Sequence, residues 1–583
     1  MLFNVPAAFE SFTSHLYSSW FYLIIIAILT PLLYTLSYDL LRVLLMPPGP
    51  LPIPFVGNTS MLPKTSPWLT FQHWSQVYGP MFTIWQGRRA TVVVSDPQIT
   101  FDLLEKRSAK FSSRPRTVAM GELLWEMGSI LVQPYGKEWS IRRKLLHAAL
   151  TPKALRLYKP TQEAEANRLC MQLLRLSEEP SGRTGWDWDR LFERFTASIV
   201  FCVAYGHRID SLNAKIIRQR FEFMHFSALL NVPGAYLVES FPLLKYVPEC
   251  LAPWKAEIKR NGRREAKANM ELVDLVRKDM RRAKEKGEDQ IPDSLTKMLL
   301  EMKEKEDVPL SDRNFAFVPA SLFGAGSDTT ASSMCSAVLA LVTHPATLKQ
   351  AQKELDATIG KERSPTFADE PNLPYLRALV KEVLRWRPVA VLGGTPHAST
   401  GNDWYLGKWI PKGTTILGNN WAINLNEEYY PEPHLFEPRR FLALEMNKLS
   451  KFEAAPGYLP VTDGTAGFTI TPPELTGKAH PSPKGHSSFG WGRRICPGAD
   501  LASNTLFIVL AKLIWAFDFL PADGRKPEDY DIFAYTQGFN IRPQRFECKI
   551  RLRDGDRKVV LNRDLQDAEA WLERFSAFGE QAG

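Results

Sequence analysis

Apolar residues recur at helical spacing through most of the chain and at strand spacing only in short runs near its two ends. Residues 81–85, 91–94 and 546–552 read as strands. Between them, long amphipathic stretches predict helices. One begins after Ser311, which has the chemistry of an N-cap, runs through Phe315, Leu322 and Met334, and stops at His344-Pro345. This is long for a globular helix. No repeat with a period of roughly 20–50 residues is visible, which argues against a solenoid. The expected fold class is mainly α with small β-sheets at its side.

A different pattern occupies the N-terminus. Residues 11–38 carry no formally charged side chain, and residues 20–38 (WFYLIIIAILTPLLYTLSY) are dominated by large apolar and aromatic groups. That is close to the ~20 residues that cross a bilayer as a helix, where Pro31 is tolerated. A cleaved signal peptide would need a basic start and a small-residue cleavage site, and neither is present. No Lys or Arg precedes Arg42, so the positive-inside rule places the N-terminus in the lumen and the bulk of the chain in the cytosol. Pro47, Pro48, Pro50, Pro52 and Pro54 then predict a stiff extended spacer. The expected organisation is a luminal N-terminus and transmembrane anchor over 1–46 and a proline-rich hinge over 47–58, followed by a catalytic domain over 59–560 and a charged tail helix over 561–583. Residues 450–485, rich in Pro, Gly and Thr, read as a surface insertion.

Composition narrows the class. The 583 residues are 45% hydrophobic and 23% charged, which supports a sizeable core and excludes a disordered chain. Six cysteines are scattered without a C-x-x-C pair or disulfide-framework spacing, as suits a reducing compartment. The net charge is +9, and Arg142, Lys144, Lys484 and Arg493 are candidates for a basic face toward an acidic partner, the alternative being a mild excess of solvated cations. No basic block is interleaved with aromatics, so nothing points to nucleic acid.

The densest chemical signal is Phe489-Gly490-Trp491-Gly492-Arg493-Arg494-Ile495-Cys496-Pro497-Gly498, a loop suited to presenting the Cys496 thiolate to a haem iron, a ligation that favours O–O cleavage. Gly492 and Gly498 suit backbone turns closed to residues with a Cβ. Phe489 can pack near the sulfur and limit water, and Arg494 can pair with a haem propionate. An isolated cysteine is more often inert and buried, but here the whole pattern F-x-x-G-x-R-x-C-x-G is present. Inside the long helix lies Ala325-Gly326-Ser327-Asp328-Thr329-Thr330. There Gly326 can open a gap in the helix wall, Thr329 can donate a hydrogen bond to bound dioxygen, and Asp328 can start a proton relay. The competing reading is a patch of small residues at a helix crossing, with a threonine bonded back to its own helix. Gly324-x-Gly326 lacks the third glycine and preceding strand of a dinucleotide fingerprint. Trp139 and Arg143 share a helix face and can reach one carboxylate, with His397 as a third donor. Glu382 and Arg385, three apart, together with Arg440 of Phe436-x-Pro438-x-Arg440-Phe441, can close a buried Glu-Arg-Arg network.

In their order and approximate spacing these motifs resemble the cytochrome P-450 monooxygenases, over about residues 47–560. The resemblance implies the cytochrome P-450 fold, a mainly helical prism with haem b between the long helix and the cysteine loop. Cys496 would be the axial ligand of the iron, and Glu382, Arg385 and Arg440 a structural lock behind the loop. The implied activity is insertion of one atom of dioxygen into a small molecule at the endoplasmic reticulum membrane. Electrons would come from a separate NADPH-cytochrome P-450 reductase, with cytochrome b5 as an auxiliary donor, because the chain has no recognisable flavin or nicotinamide site. Residues 233–242 and 385–389 are similar to fungal secondary-metabolism members of the family, of the O-methylsterigmatocystin oxidoreductase type. The length of 441–489 departs from the family pattern. By analogy, substrate contacts are expected after Ser113, at 221–226, at Phe323 and Ala325, and at 389–392 and 537–539, whose apolar character favours a greasy or aromatic ligand. Desaturation or oxidative coupling is the alternative chemistry. A haem-binding sensor is the alternative class, against which the Asp328-Thr329 pair argues.

Overall fold

The computed structural model describes residues 7–178, 188–230, 236–287, 291–305, 308–449 and 475–579. Residues 450–474 of the expected insertion and 233–235 of the fungal-like segment lie outside the described residues.

The axis of the molecule is the helix Asp312–Thr343. The Ser311 hydroxyl oxygen accepts from the Asn314 amide at 3.3 Å, and the helix stops at His344, before Pro345. Its sides carry small and apolar residues because other helices surround it. Trp188–Tyr205 crosses it at Gly326, where a Cβ would come within 2.7 Å of Val200. Ala499–Ala516 is apolar around most of its circumference and is accordingly buried in the same core.

A four-stranded sheet stands beside the helices in the spatial order Met81–Gln86, Arg89–Val94, Thr415–Gly418, His397–Ala398. The first and last pairings are antiparallel and the middle one is parallel. Cys548–Leu552 pairs antiparallel with Phe517–Pro521, so the strand expected at 546–552 forms two residues later.

The N-terminal helix Ala7–Leu45 contains the stretch Ile25–Leu45, which is long and apolar enough to cross a membrane and whose apolar window is not buried inside the protein. It overlaps the expected span of about 20–38 over residues 25–38. The proline segment is not the free rod its composition suggests. Pro48 accepts from the Thr83 amide at 2.9 Å, and Gly49 lies so close to Thr83 that any Cβ would overlap its carbonyl oxygen. Arg42 packs over the Trp85 ring, and Asp39 pairs with Arg88 at 2.7 Å. The junction between anchor and body is therefore set by docking on the sheet edge.

The tail is equally integrated. Asp554 caps Gly555–Leu572, which packs along Pro152–Glu178 and buries Leu561 and Leu572, and Ser576–Phe578 then adds in parallel to His207–Ile209.

Glu382 and Arg385, on Pro374–Trp386, are both fully buried and paired bidentately at 2.6 and 2.7 Å. Arg385 also donates to the carbonyls of Asn424 and Pro433, while Arg440 lies 3.6 Å from Glu382 and donates to the carbonyls of Pro431 and Glu432. The network ties the helix to the 424–440 segment, and Asn424 in turn bonds Ser487 and Ser488 at the base of the cysteine loop. Glu382→Ala, which leaves two buried guanidiniums without their shared carboxylate, is expected to lower the unfolding free energy by about 3–5 kcal/mol, measurable by urea titration.

Candidate active site

A cavity of about 850 Å³ lies between the central helix, the cysteine loop and the sheet. Gly326, Asp328, Thr329, Trp139, Arg143, His397, Phe489, Arg494, Cys496 and Gly498 all line it. Glu382, Arg385 and Arg440 do not, and belong to the network behind it.

The cysteine loop is held by its own backbone. The Cys496 amide donates to the Phe489 carbonyl at 2.9 Å and the Ile495 amide to Gly492 at 3.0 Å. Gly492 has φ +56°, and a Cβ there would overlap the Leu104 carbonyl oxygen, so glycine is required twice over. Gly498 differs from the expectation. Its φ of −90° is open to any residue, and no protein atom lies within 4 Å of a Cβ built there. What a side chain at Gly498 would fill is cavity space. Burial pushes the Cys496 thiol up, opposed by the Gly498 amide and by Arg143 and Lys484, at the start of the helix Ala499–Ala516.

Arginines dominate the opposite rim. Arg494 donates to the carbonyls of Ser112 and Gln133, both at 2.7 Å, and stacks 4.4 Å over the Trp139 ring. Arg143 donates to Ile495 O at 2.7 Å, and Arg114 to the carbonyls of Thr395 and Pro396. Among the described residues no carboxylate pairs with any of the three, and Arg114 Nε is buried without a partner. Burial, with the neighbouring Arg114 and Arg143, pushes Arg494 down to about 9, and burial pushes Arg114 down to about 10. Such a cluster calls for an anion. A macrocycle bearing carboxylates over a thiolate fits both the cluster and the open space at Gly498. Arg114 was not singled out in the sequence, where no spacing links it to Arg494. It arrives beside His397 because the Ala398 amide bonds Ser113 O at 2.9 Å.

His397 Nδ1 lies 2.7 Å from the Phe111 carbonyl, to which it donates, leaving Nε2 unprotonated in the neutral ring. Burial and the charges of Arg114 and Arg494 push His397 down to about 3. As a third donor to a carboxylate it must carry a second proton, which its neighbours disfavour.

The central helix is unbroken at Gly326, and in place of the expected gap there is close contact with Val200. The Ser327 carbonyl accepts instead from Thr196 at 2.6 Å, across the helix crossing. Thr329 donates to Ala325 O at 2.6 Å, so its hydroxyl meets the cavity as an acceptor in this rotamer. Asp328 accepts from Asn540 at 3.0 Å, a partner invisible in sequence because it lies on a distant loop.

Of the expected substrate contacts, Phe221, Phe223, Met224, Phe323, Ala325, Val389 and Phe539 line the cavity, whereas Phe226 and Leu392 pack elsewhere. On the outer side of the loop, Lys144 and Arg493 are exposed, but Arg142 is buried and paired with Glu138 at 2.7 Å, so it leaves the proposed basic face.

The cytochrome P450 family model matches residues 47–550. The chain belongs to the cytochrome P450 monooxygenase family, whose members carry thiolate-ligated haem iron, draw electrons from a redox partner and act on small molecules. Among similar proteins, cytochrome P450 monooxygenase 58 of Postia placenta is 35% identical, with 88% of this chain and 90% of that protein aligned. Cytochrome P450 monooxygenase verL of Clonostachys rogersoniana is 30% identical over 90% of each. A solved zebra fish cytochrome P450 with abiraterone shares the fold with a TM-score of 0.62 at 23% identity, covering 84% of this chain and all of that one.

In the haem-stripped chain, the unfolded state gains the His397 proton below its ordinary value of 6.5, while the folded state resists it down to about 3. Stability is therefore expected to fall on acidification through that window, by about 1.4 kcal/mol per pH unit from this residue. Urea titrations at several pH values should show a shallower slope for His397→Gln.

Proposed function

We propose that this protein is a membrane-anchored haem-thiolate monooxygenase of fungal secondary metabolism. It inserts one atom of dioxygen into an apolar small molecule and reduces the other to water, using two electrons from NADPH through a separate flavoprotein reductase and two protons delivered from solvent. The observation that supports this most is the convergence on one cavity of Cys496, three guanidiniums without carboxylates, and the Asp328-Thr329 pair.

Haem b, when bound, supplies a redox-active iron made electron-rich by its thiolate ligand. Cys496 would be that ligand, held by the Phe489 carbonyl and facing the positive start of the Ala499–Ala516 helix. Arg114, Arg143 and Arg494 would take the propionates, with Trp139 stacked against Arg494. Phe489 limits water at the sulfur, and Gly498 leaves room for the macrocycle. On the other side, Asp328 holds and passes protons, anchored by Asn540, and Thr329 presents a hydroxyl one residue away. Gly326 keeps these groups close to the neighbouring helix. Lys144 and Arg493 offer cations to an acidic reductase domain, beside the half-buried Lys484 that lies 3.7 Å from Asp500, with cytochrome b5 as an auxiliary donor. Ile25–Leu45 holds the catalytic body on the endoplasmic reticulum membrane, with the N-terminus luminal and the body cytosolic.

In microsomes with reductase, NADPH and labelled dioxygen, a panel of aromatic polyketides, indole alkaloids and terpenoids should yield a product carrying one labelled oxygen. Loss of two hydrogens without label would make the protein a desaturase or coupling enzyme, and no product from any compound would favour the sensor class. Cys496→Ala should abolish the thiolate-type Soret band of the reduced carbon-monoxide complex. Thr329→Ala should cut product formed per NADPH by about tenfold or more and release peroxide; unchanged coupling would remove Thr329 from its role.

A further inference from the structure

Asp328 and Cys335 lie about two turns apart on one face of the central helix. Asp328 lines the active-site cavity. Cys335 lines a smaller pocket of about 220 Å³, room for several water molecules, whose lining includes the exposed Gln544 and Arg545 and so reaches the surface. Arg542 and Thr536 line both spaces and therefore stand between them.

The backbone at this boundary is fixed. The Arg542 amide donates to Thr536 Oγ1 at 3.1 Å, and the Thr536 amide to the Arg542 carbonyl at 2.8 Å. Arg545 pairs with Asp189 at 3.3 Å and Arg542 with Glu193 at 2.5 Å, two rungs that tie the loop to the start of Trp188–Tyr205. A change of partner at Arg542 is then a change of side-chain rotamer, not a movement of the loop.

Two carboxylates compete for that guanidinium. Burial opposes its charge, but Glu193 and, more weakly, Asp328 outweigh burial and hold Arg542 above its ordinary value, so Asp328 lies within its electrostatic reach. In the structure Glu193 has it. Asp328 keeps the neutral Asn540 at 3.0 Å, and among the described residues it forms no ion pair. Asp189 does not compete, because Arg545 occupies it. The Arg542 and Glu193 side chains retain 31% and 21% of their surface, so water reaches both.

We propose that Glu193 is a positioning residue for proton delivery: it holds Arg542 away from Asp328, which leaves that carboxylate open to water from the outer pocket. Arg542 itself carries no proton onward, since a guanidinium does not deprotonate in a protein. Asp328 takes a proton from that water, passes it on past Thr329 and ends as the carboxylate it began as, while solvent replaces the proton lost by the water. Turned to Asp328, Arg542 would keep the carboxylate ionised and block the approach. This role rests on the monooxygenase reading, because reduction of dioxygen is what consumes the protons.

The test uses the full-length, haem-loaded protein and two variants. Glu193→Gln keeps the shape of the side chain and removes the charge that holds Arg542. Its crystal structure should show the guanidinium against Asp328. With reductase and NADPH its oxygen consumption should fall about tenfold, with a larger solvent deuterium isotope effect. Glu193→Gln combined with Arg542→Met removes anion and cation as a pair and frees Asp328, so consumption should return to within about twofold of the unaltered protein. A merely structural ion pair predicts the opposite order, because the double variant loses more contacts than the single one. Arg542 remaining at residue 193 or turning to solvent in the crystal, unchanged consumption in Glu193→Gln, or no recovery in the double variant overturns the proposal. The reduced carbon-monoxide spectrum of the same samples marks each variant as folded. A missing thiolate-type band or no oxygen consumption in the unaltered protein would sink the monooxygenase reading and this role with it, whereas a normal band with any of the failures above sinks the role alone.

Discussion

Three guanidiniums are held in one cavity by backbone carbonyls and by no described carboxylate, and the architecture around them exists to keep them there. Carbonyl oxygens solvate a cation only in part, so burial still presses Arg494 and Arg114 toward neutrality. An anion sharing the cavity would relieve that pressure. Each arginine reaches its carbonyls from a different part of the chain: Arg494 from the cysteine loop, Arg143 from Lys137–Ala148, and Arg114 beside the sheet edge. An anion bound there would join loop, helix and sheet, and Arg143 holds the cysteine loop through the Ile495 carbonyl.

Rigidity behind the site comes from charges that are paired. Glu382 and Arg385 pair bidentately, Arg385 and the two Nη atoms of Arg440 donate to carbonyls of the 424–440 segment, and Arg440 Nε lies 3.6 Å from Glu382. That segment reaches the base of the cysteine loop through Asn424. The protein thus uses one charge principle in two ways: paired ions where a fixed frame is needed, and unpaired ions where a ligand completes the set.

The central helix shows the same economy with uncharged groups. Gly326 brings Trp188–Tyr205 close, Thr196 bonds the Ser327 carbonyl, and Thr329 bonds back to Ala325. A small-residue helix crossing and a polar face toward the cavity coexist on one turn, so the two readings of that motif describe its opposite sides.

The sequence by itself determined the helical class, the limits of the central helix, the cysteine loop, the Glu-Arg-Arg residues and the presence of an apolar N-terminal helix. These depend on local periodicity, capping and short spacings, which a chain displays in order. Only the tertiary structure decided that Arg114 joins Arg143 and Arg494, that Asn540 holds Asp328, that Arg142 is buried, that the proline segment lies on the sheet, and that His397 is kept neutral. Each of these depends on a carbonyl, a charge or an edge contributed from far along the chain, and no local pattern records which distant groups folding will place within hydrogen-bonding distance.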